Sequence, residues 1–113
     1  MYEPTKHDWK LFQERLPEWQ EAYMERLVKK YAEYLLSDAP ASTKFWELDS
    51  RIKADKKTPG VQLTLSKSDM FYDICQLLID GAITLNQLAD FNEELQTAIR
   101  ERIECLTTGG LAK

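Results

Sequence analysis

From Trp19 onward, every fourth residue is large and mostly apolar: Trp19, Tyr23, Leu27, Tyr31 and Leu35 succeed one another at steps of i+4. Ala22, Met24, Val28 and Tyr34 widen the set. In a strand, the even-numbered members would point away from the odd-numbered ones. At 3.6 residues per turn they share one broad side, so the stretch Glu18 to Leu36 is a helix. Glu18, Glu21, Glu25 and Lys29 mark its wet side, and Glu25 with Lys29 forms a favourable i,i+4 pair. Upstream, Thr5 followed by Asp8 resembles a capping box, and Trp9, Phe12 and Leu16 continue a helical spacing. This predicts a first helix from Lys6 to Arg15. Pro17 removes a backbone donor and restricts Leu16, yet it also suits the first position of a new helix. Two readings stand: two separate helices, or one long helix kinked at Pro17.

The remaining chain follows the same helical rhythm with one exception. Ser37 to Ser42 is a loop. Ser42 or Thr43 is expected to cap a third helix with a narrow stripe of Phe45, Leu48, Asp49 and Ile52, Trp46 on its flank, and a stop at Thr58-Pro59-Gly60. Val61 to Leu65 alternates apolar and polar residues, the period of a half-buried strand. A lone strand has no ladder partner for its backbone. The segment is therefore either a solvated connector whose apolar side chains plug the core or a strand that pairs with its own copy in a homodimer. Ser66 with Asp69 begins a fourth helix, Lys67 to Ile79, almost wholly apolar except for the row Asp69, Asp73, Gln76, Asp80; such a helix belongs at the centre of the domain. Thr84 with Gln87 forms a capping box for a fifth helix, which should run to Cys105 and bury Leu85, Leu88, Phe91, Leu95, Ile99, Ile103 and Leu106. The expected fold is a compact all-α domain of four to five helices, with a single helical domain over residues 1–106 and a flexible C-terminal tail over 107–113.

The stretch Asp80-Gly81-Ala82-Ile83 raises the question of a calcium loop. Such loops place carboxylate or amide ligands at alternate positions and close with a glutamate, and Gly81, Ala82 and Ile83 offer no carboxylate. Gly81 instead suits the left-handed position after a helix end, with Ile83 tucked between two helices. The 113 residues hold one His, no CxxC, no HExxH, no nucleophile elbow and no phosphate-cradling glycine loop. No catalytic, cofactor-binding or metal-binding residue is identified, and a non-enzymatic protein is expected. No apolar run approaches the roughly 18 residues of a membrane span, and the first residues are too charged for a signal-peptide core, which places the protein in the cytoplasm. If the helices flanking Gly81 run antiparallel, Cys75 lies about 8 Å back from the joint and Cys105 about 30 Å beyond it, so the two should remain reduced.

Surface chemistry is left to carry function. A formal net charge of −4 disfavours nucleic acid as a general partner. Between Ser68 and Ile99 there is neither Lys nor Arg, whereas Asp69, Asp73, Asp80, Asp90, Glu93 and Glu94 are acidic. Asp69, Asp73, Asp80, Asp90 and Glu94 are the candidate contacts for a basic protein partner. Arg51, Lys53, Lys56 and Lys57, at the end of the third helix, are the candidate phosphate contacts of an alternative, a small nucleic-acid-associated regulator. Reading the fourth and fifth helices as a helix-turn-helix fails on charge, because Asp90, Glu93 and Glu94 would face phosphate. The aromatics follow helical spacing and read as core, although Tyr2, Trp9 and Trp19 could form a partly exposed groove. The leading expectation is an interaction or regulatory protein that works through a protein partner.

The blocks "YEPTKHDWKLFQERLPEWQEAYMERL" and "KFWELDSRIKADKKTPGVQLTLSKSDM", with the later "LIDGAITLNQLADF", resemble a group of short uncharacterised proteins of Gram-positive bacteria, over nearly the whole chain. Members sometimes carry the label multidrug transporter, which a chain without an apolar span does not fit. The resemblance implies a bacterial origin, with a mobile element as one setting, and supplies no functional residue.

Overall fold

The structure, a computed structural model, describes residues 3–111, with side chains through Leu106. Its described residues form four α-helices, α1 (Lys6–Leu35), α2 (Ala41–Asp55), α3 (Met70–Ile79) and α4 (Glu93–Leu111), with 3₁₀ turns at Lys67–Asp69 and Leu85–Leu88 and no strand. The chain is an all-α protein.

The choice left open at Pro17 falls to one long helix. Thr5 accepts the Asp8 N–H at 3.1 Å to begin α1, and the helix passes through an exposed Pro17 without ending. Leu16 and Trp19, on either side of the proline, are both buried and hold the turn in place against the loss of one hydrogen bond. The second helix is thus the continuation of the first.

Elsewhere the boundaries shift for identifiable reasons. Pro40, not Ser42 or Thr43, caps α2, and its carbonyl accepts the first intrahelical bond from Lys44 at 3.0 Å. Residues 61–65 form a connector that is neither helix nor strand, opening on a turn in which the Val61 and Gln62 N–H groups both donate to Thr58 O at 3.1 Å: Val61 and Leu63 are half-buried, Leu63 packs on the core, and Leu65 is exposed. The helix expected from Lys67 opens as a 3₁₀ turn, because the Ser66 hydroxyl meets that of Ser68 at 3.0 Å and caps nothing. At Thr84 the capping box forms as expected, with the Thr84 N–H donating to Gln87 Oε1 at 2.9 Å. It heads only the short 3₁₀ turn, however. The chain leaves helical geometry after Leu88 and restarts at Glu93, where Asn92 Oδ1 accepts the Glu94 N–H at 2.7 Å. The cause lies far away in sequence. Asp8, fully buried, accepts the Asn92 N–H on Oδ1 at 3.0 Å and fixes the break. At the other end α4 remains helical to Leu111, past the Cys105 boundary and into the expected tail; Ala112 and Lys113 lie outside the described residues.

Gly81 does what its position predicts. At φ 77° it takes the left-handed conformation, its N–H donates to Leu78 O at 3.1 Å, and the Ala82 N–H donates to Leu77 O at 2.8 Å. This pair of bonds turns the chain so that Ala82 and Ile83 bury. The core gathers Leu11, Phe12, Leu16 and Trp19 from α1, Met70, Phe71, Ile74, Cys75 and Leu77 from α3, and Leu88, Phe91, Leu95 and Ile99 from the segments that follow. As expected, α3 is central. These parts form a head. The Cα radius of gyration is 16.6 Å, against about 13 Å for a near-spherical chain of this length. The excess arises because α1, about 45 Å long at 1.5 Å per residue, runs well past the head.

Candidate functional site

Beyond Arg26, α1 continues to Leu35 and is joined by α2, making a helical hairpin that stands off the head as an arm. Its root is tied down by polar contacts. Gln20 Nε2 donates to Pro59 O at 2.9 Å, and the Arg26 guanidinium donates to the carbonyls of Gly81 and Ala82 at 2.9 and 3.2 Å. Gly60 lies flat against the Tyr23 ring, where a Cβ would fall 2.4 Å from a ring carbon. Within the arm, the Tyr31 hydroxyl donates to the Asp55 carboxylate, and the Arg51 guanidinium sits 4.3 Å from the centre of the Tyr34 ring. Burial, followed by the hydrogen bond to Asp55, pushes the Tyr31 phenol up to about 12. Polar and cation–π contacts thus join the two helices, and α2 buries no residue at all.

The arm's apolar side chains are consequently left at the surface. Val28 is 61% exposed, Phe45 and Trp46 are each 65% exposed, and Leu36 in the connecting loop is 86% exposed. Phe45 and Trp46 pack edge to face on each other, 5.0 Å between centroids. Met24, Leu27, Val28 and Tyr31 from α1 meet Ile52 and Val61 around a hollow of about 250 Å³ at the root of the hairpin. The spacing 24, 27, 28, 31, 35 keeps the α1 members on one side. Larger hollows, about 400 Å³ at the start of α4 and about 600 Å³ beside Lys56 and Lys57, have charged and polar rims.

The residues proposed as partner contacts are distributed differently from one open acidic face. Asp69 and Glu94 are exposed. Asp73 and Asp80 are half-buried, and one carboxylate oxygen of each is enclosed without a hydrogen-bond partner among the described residues. Burial, reinforced by Asp69, pushes the Asp73 carboxyl up to about 6. Asp80 accepts from Gln76 Nε2 at 2.8 Å and lies close enough to Tyr23 to add to the burial that raises its phenol. Asp90 is paired with Arg15 at 2.7 Å. Of the candidate phosphate contacts, Arg51 is bonded to Glu47 at 3.1 Å and Lys53 to Asp49 at 2.9 Å, both within α2, and Lys56 and Lys57 are exposed.

The N-terminal aromatics read as core are core, and the alternative of a partly exposed groove is not open: Trp19 belongs to the core and Trp9 is half-buried against it. Tyr2 lies outside the described residues. Both thiols are free; Cys75 is buried, which raises it, and Cys105 is exposed. Two features escaped the sequence reading. The arm's surface role was hinted at by the narrow stripe of α2 with Trp46 off its line, and Asp8 gave no signal beyond its place in the first helical turn. Among the described residues no helix is long and apolar enough to cross a membrane. No family model, curated protein or solved structure matches the chain.

Proposed function

We propose that the chain is a non-enzymatic cytoplasmic interaction protein that acts through a protein partner, and that the arm is the element it presents. The observation that carries this reading is the separation of Phe45, Trp46, Leu36 and Val28 from the core: the head is filled without them, so their apolar surface is held in water at a cost. Aromatic side chains in an exposed apolar cluster are the usual anchors of protein interfaces. The acidic residues serve better as a rim, since Asp90 is paired and Asp73 and Asp80 are half withdrawn. Phosphate recognition finds less support, because Arg51 and Lys53 are engaged inside α2.

Immobilised full-length protein, exposed to proteins of the parent cell, should retain a partner that is lost with Trp46→Ser and kept with Asp69→Lys. Retention of the same proteins by the Trp46 variant would remove the arm from the account, and loss on Asp69→Lys alone would return the interaction to the acidic residues.

A further inference from the structure

We propose that α2 is a strap: it opens from α1 as a unit while the head stays folded, and in opening it uncovers an apolar stripe of α1 that the closed arm screens. This motion is a property of the chain alone and requires no partner at Phe45 or Trp46.

The seam between the two helices is mismatched. Arg51 and Asp55 of α2 touch Tyr34 and Tyr31 of α1, so the side of α2 that carries them faces α1. At about 100° per residue, Lys44 and Leu48 share that side, and like Arg51 and Asp55 they are half-buried. Leu48 is therefore the apolar member of a charged row. The α1 side of the seam is the reverse: Leu27, Tyr31 and Tyr34, spaced i, i+4, i+7, are half-buried under that row. Phe45 lies about a quarter-turn off the seam and Trp46 on the far side of α2, both mostly exposed, and Ile52 reaches only the hollow at the root. A charged side laid on an apolar stripe gains little from burial. What holds α2 shut is directional: the Tyr31 hydroxyl donating to the Asp55 carboxylate, and the Arg51 guanidinium over the Tyr34 ring, steadied by Glu47.

The rest of the chain permits α2 to leave and return. Its 15 residues are about the length at which an isolated helix is marginal in water, and Pro40 gives its first turn no side-chain cap. The core contains no residue of α2, so the head loses nothing when α2 lifts. The foot of α2 stays fixed, because Gln20 Nε2 donates to Pro59 O, Gly60 lies against Tyr23, and Gln62 Nε2 donates to Lys56 O at 2.6 Å. A helix released along its length but tethered at its foot reseats. While it is open, Leu27, Tyr31 and Tyr34 join the already exposed Val28 and Leu35 in one stripe at i, i+1, i+4, i+7 and i+8. The strap thus sets how much apolar surface the arm displays.

Amide hydrogen exchange of the full chain, compared between wild type and variants along the seam, tests this. Tyr31→Phe removes one hydroxyl and Arg51→Met one guanidinium. Each should speed exchange of Ala41–Asp55 about fivefold, and the pair about twentyfold, with α3 unchanged. Lys44→Leu places a second leucine on the seam at little change in helix propensity and should slow α2 exchange about fivefold. Phe45→Ser, off the seam and of similar propensity, should leave it unchanged. Equal acceleration of α2 and α3 by the first two variants would make α2 part of the head's cooperative unit and overturn the proposal. So would α2 exchange indifferent to Tyr31→Phe, Arg51→Met and Lys44→Leu alike, because the seam would then not be what closes the strap.

Discussion

Head and arm are built on the same helix, yet they use apolar residues in opposite ways. Up to Trp19, α1 places Leu11, Phe12, Leu16 and Trp19 against α3 and the segments around α4, and all four are buried. After Arg26 the same i+4 rhythm continues through Leu27, Tyr31 and Leu35, but α2 covers only part of it and α1 buries nothing more. Periodicity is equal in the two halves and burial is not. The difference shows that a helical stripe fixes which side of a helix avoids water without fixing what covers that side. In the head the cover is the chain itself. The arm reaches beyond that cover, held open by contacts that are directional rather than apolar: Tyr31 to Asp55, Arg51 on Tyr34, and Arg26 on the turn at Gly81.

The contrast can be broken most directly by truncation. Phe12→Ala should cost about 3–5 kcal/mol in urea unfolding, a large part of a domain's stability. Trp46→Ala, although it removes a larger side chain, should cost less than about 0.5 kcal/mol, because that side chain is mostly exposed. Comparable losses would mean that the arm is part of the core. The joint between the two regions is sharpened by Gly60→Ala. Its methyl would strike the Tyr23 ring, at an expected cost of about 1–3 kcal/mol. The cost should shrink in a Tyr23→Ala background; an equal cost in both backgrounds would show that this contact does not set the joint.

A change smaller than that at Gly60 concerns Asp73 on the head. Its carboxyl, raised to about 6 by burial and by Asp69, holds a proton in the folded chain that the unfolded chain has already released. The folded state therefore binds more protons between pH about 4 and about 6, and stability falls as pH rises through that window. Above it the penalty is fully present. Asp73→Asn should stabilise the protein at pH 7 by about 1 kcal/mol or less, after allowance for solvent screening of a half-buried group. It should also flatten the decline between pH 4 and 6. Unfolding curves that leave the wild-type slope unchanged in the variant would assign that slope to other groups.

The sequence shows plainly those features whose causes are local. Gly81 needs only its own φ, and the Thr84–Gln87 box needs only three residues of helix start, so both were legible. The apolar α3 was legible as the centre because so few polar residues interrupt it. The restart of the chain at Glu93 was not. Leu85, Leu88, Leu95 and Ile99 keep a helical spacing across the break, and the group that enforces it, Asp8, is 84 residues from Asn92 in sequence. The acidic face was overdrawn for the same reason, since Arg15 reaches Asp90 from 75 residues away. Pro17 was undecidable from its own chemistry, which permits either a start or a kink; the burial of Leu16 and Trp19 decides it. At the arm, the sequence shows two stripes but not that the chain runs out of partners for them.

The central claim, that the apolar residues of the head hold the fold while those of the arm lie outside it, is tested most directly by amide hydrogen exchange of the full chain, followed by mass spectrometry. The account predicts that α3 amides exchange only through global unfolding. Amides of Ala41–Asp55 should exchange many times faster, because that helix buries no residue. Protection of α2 equal to that of α3 would contradict it.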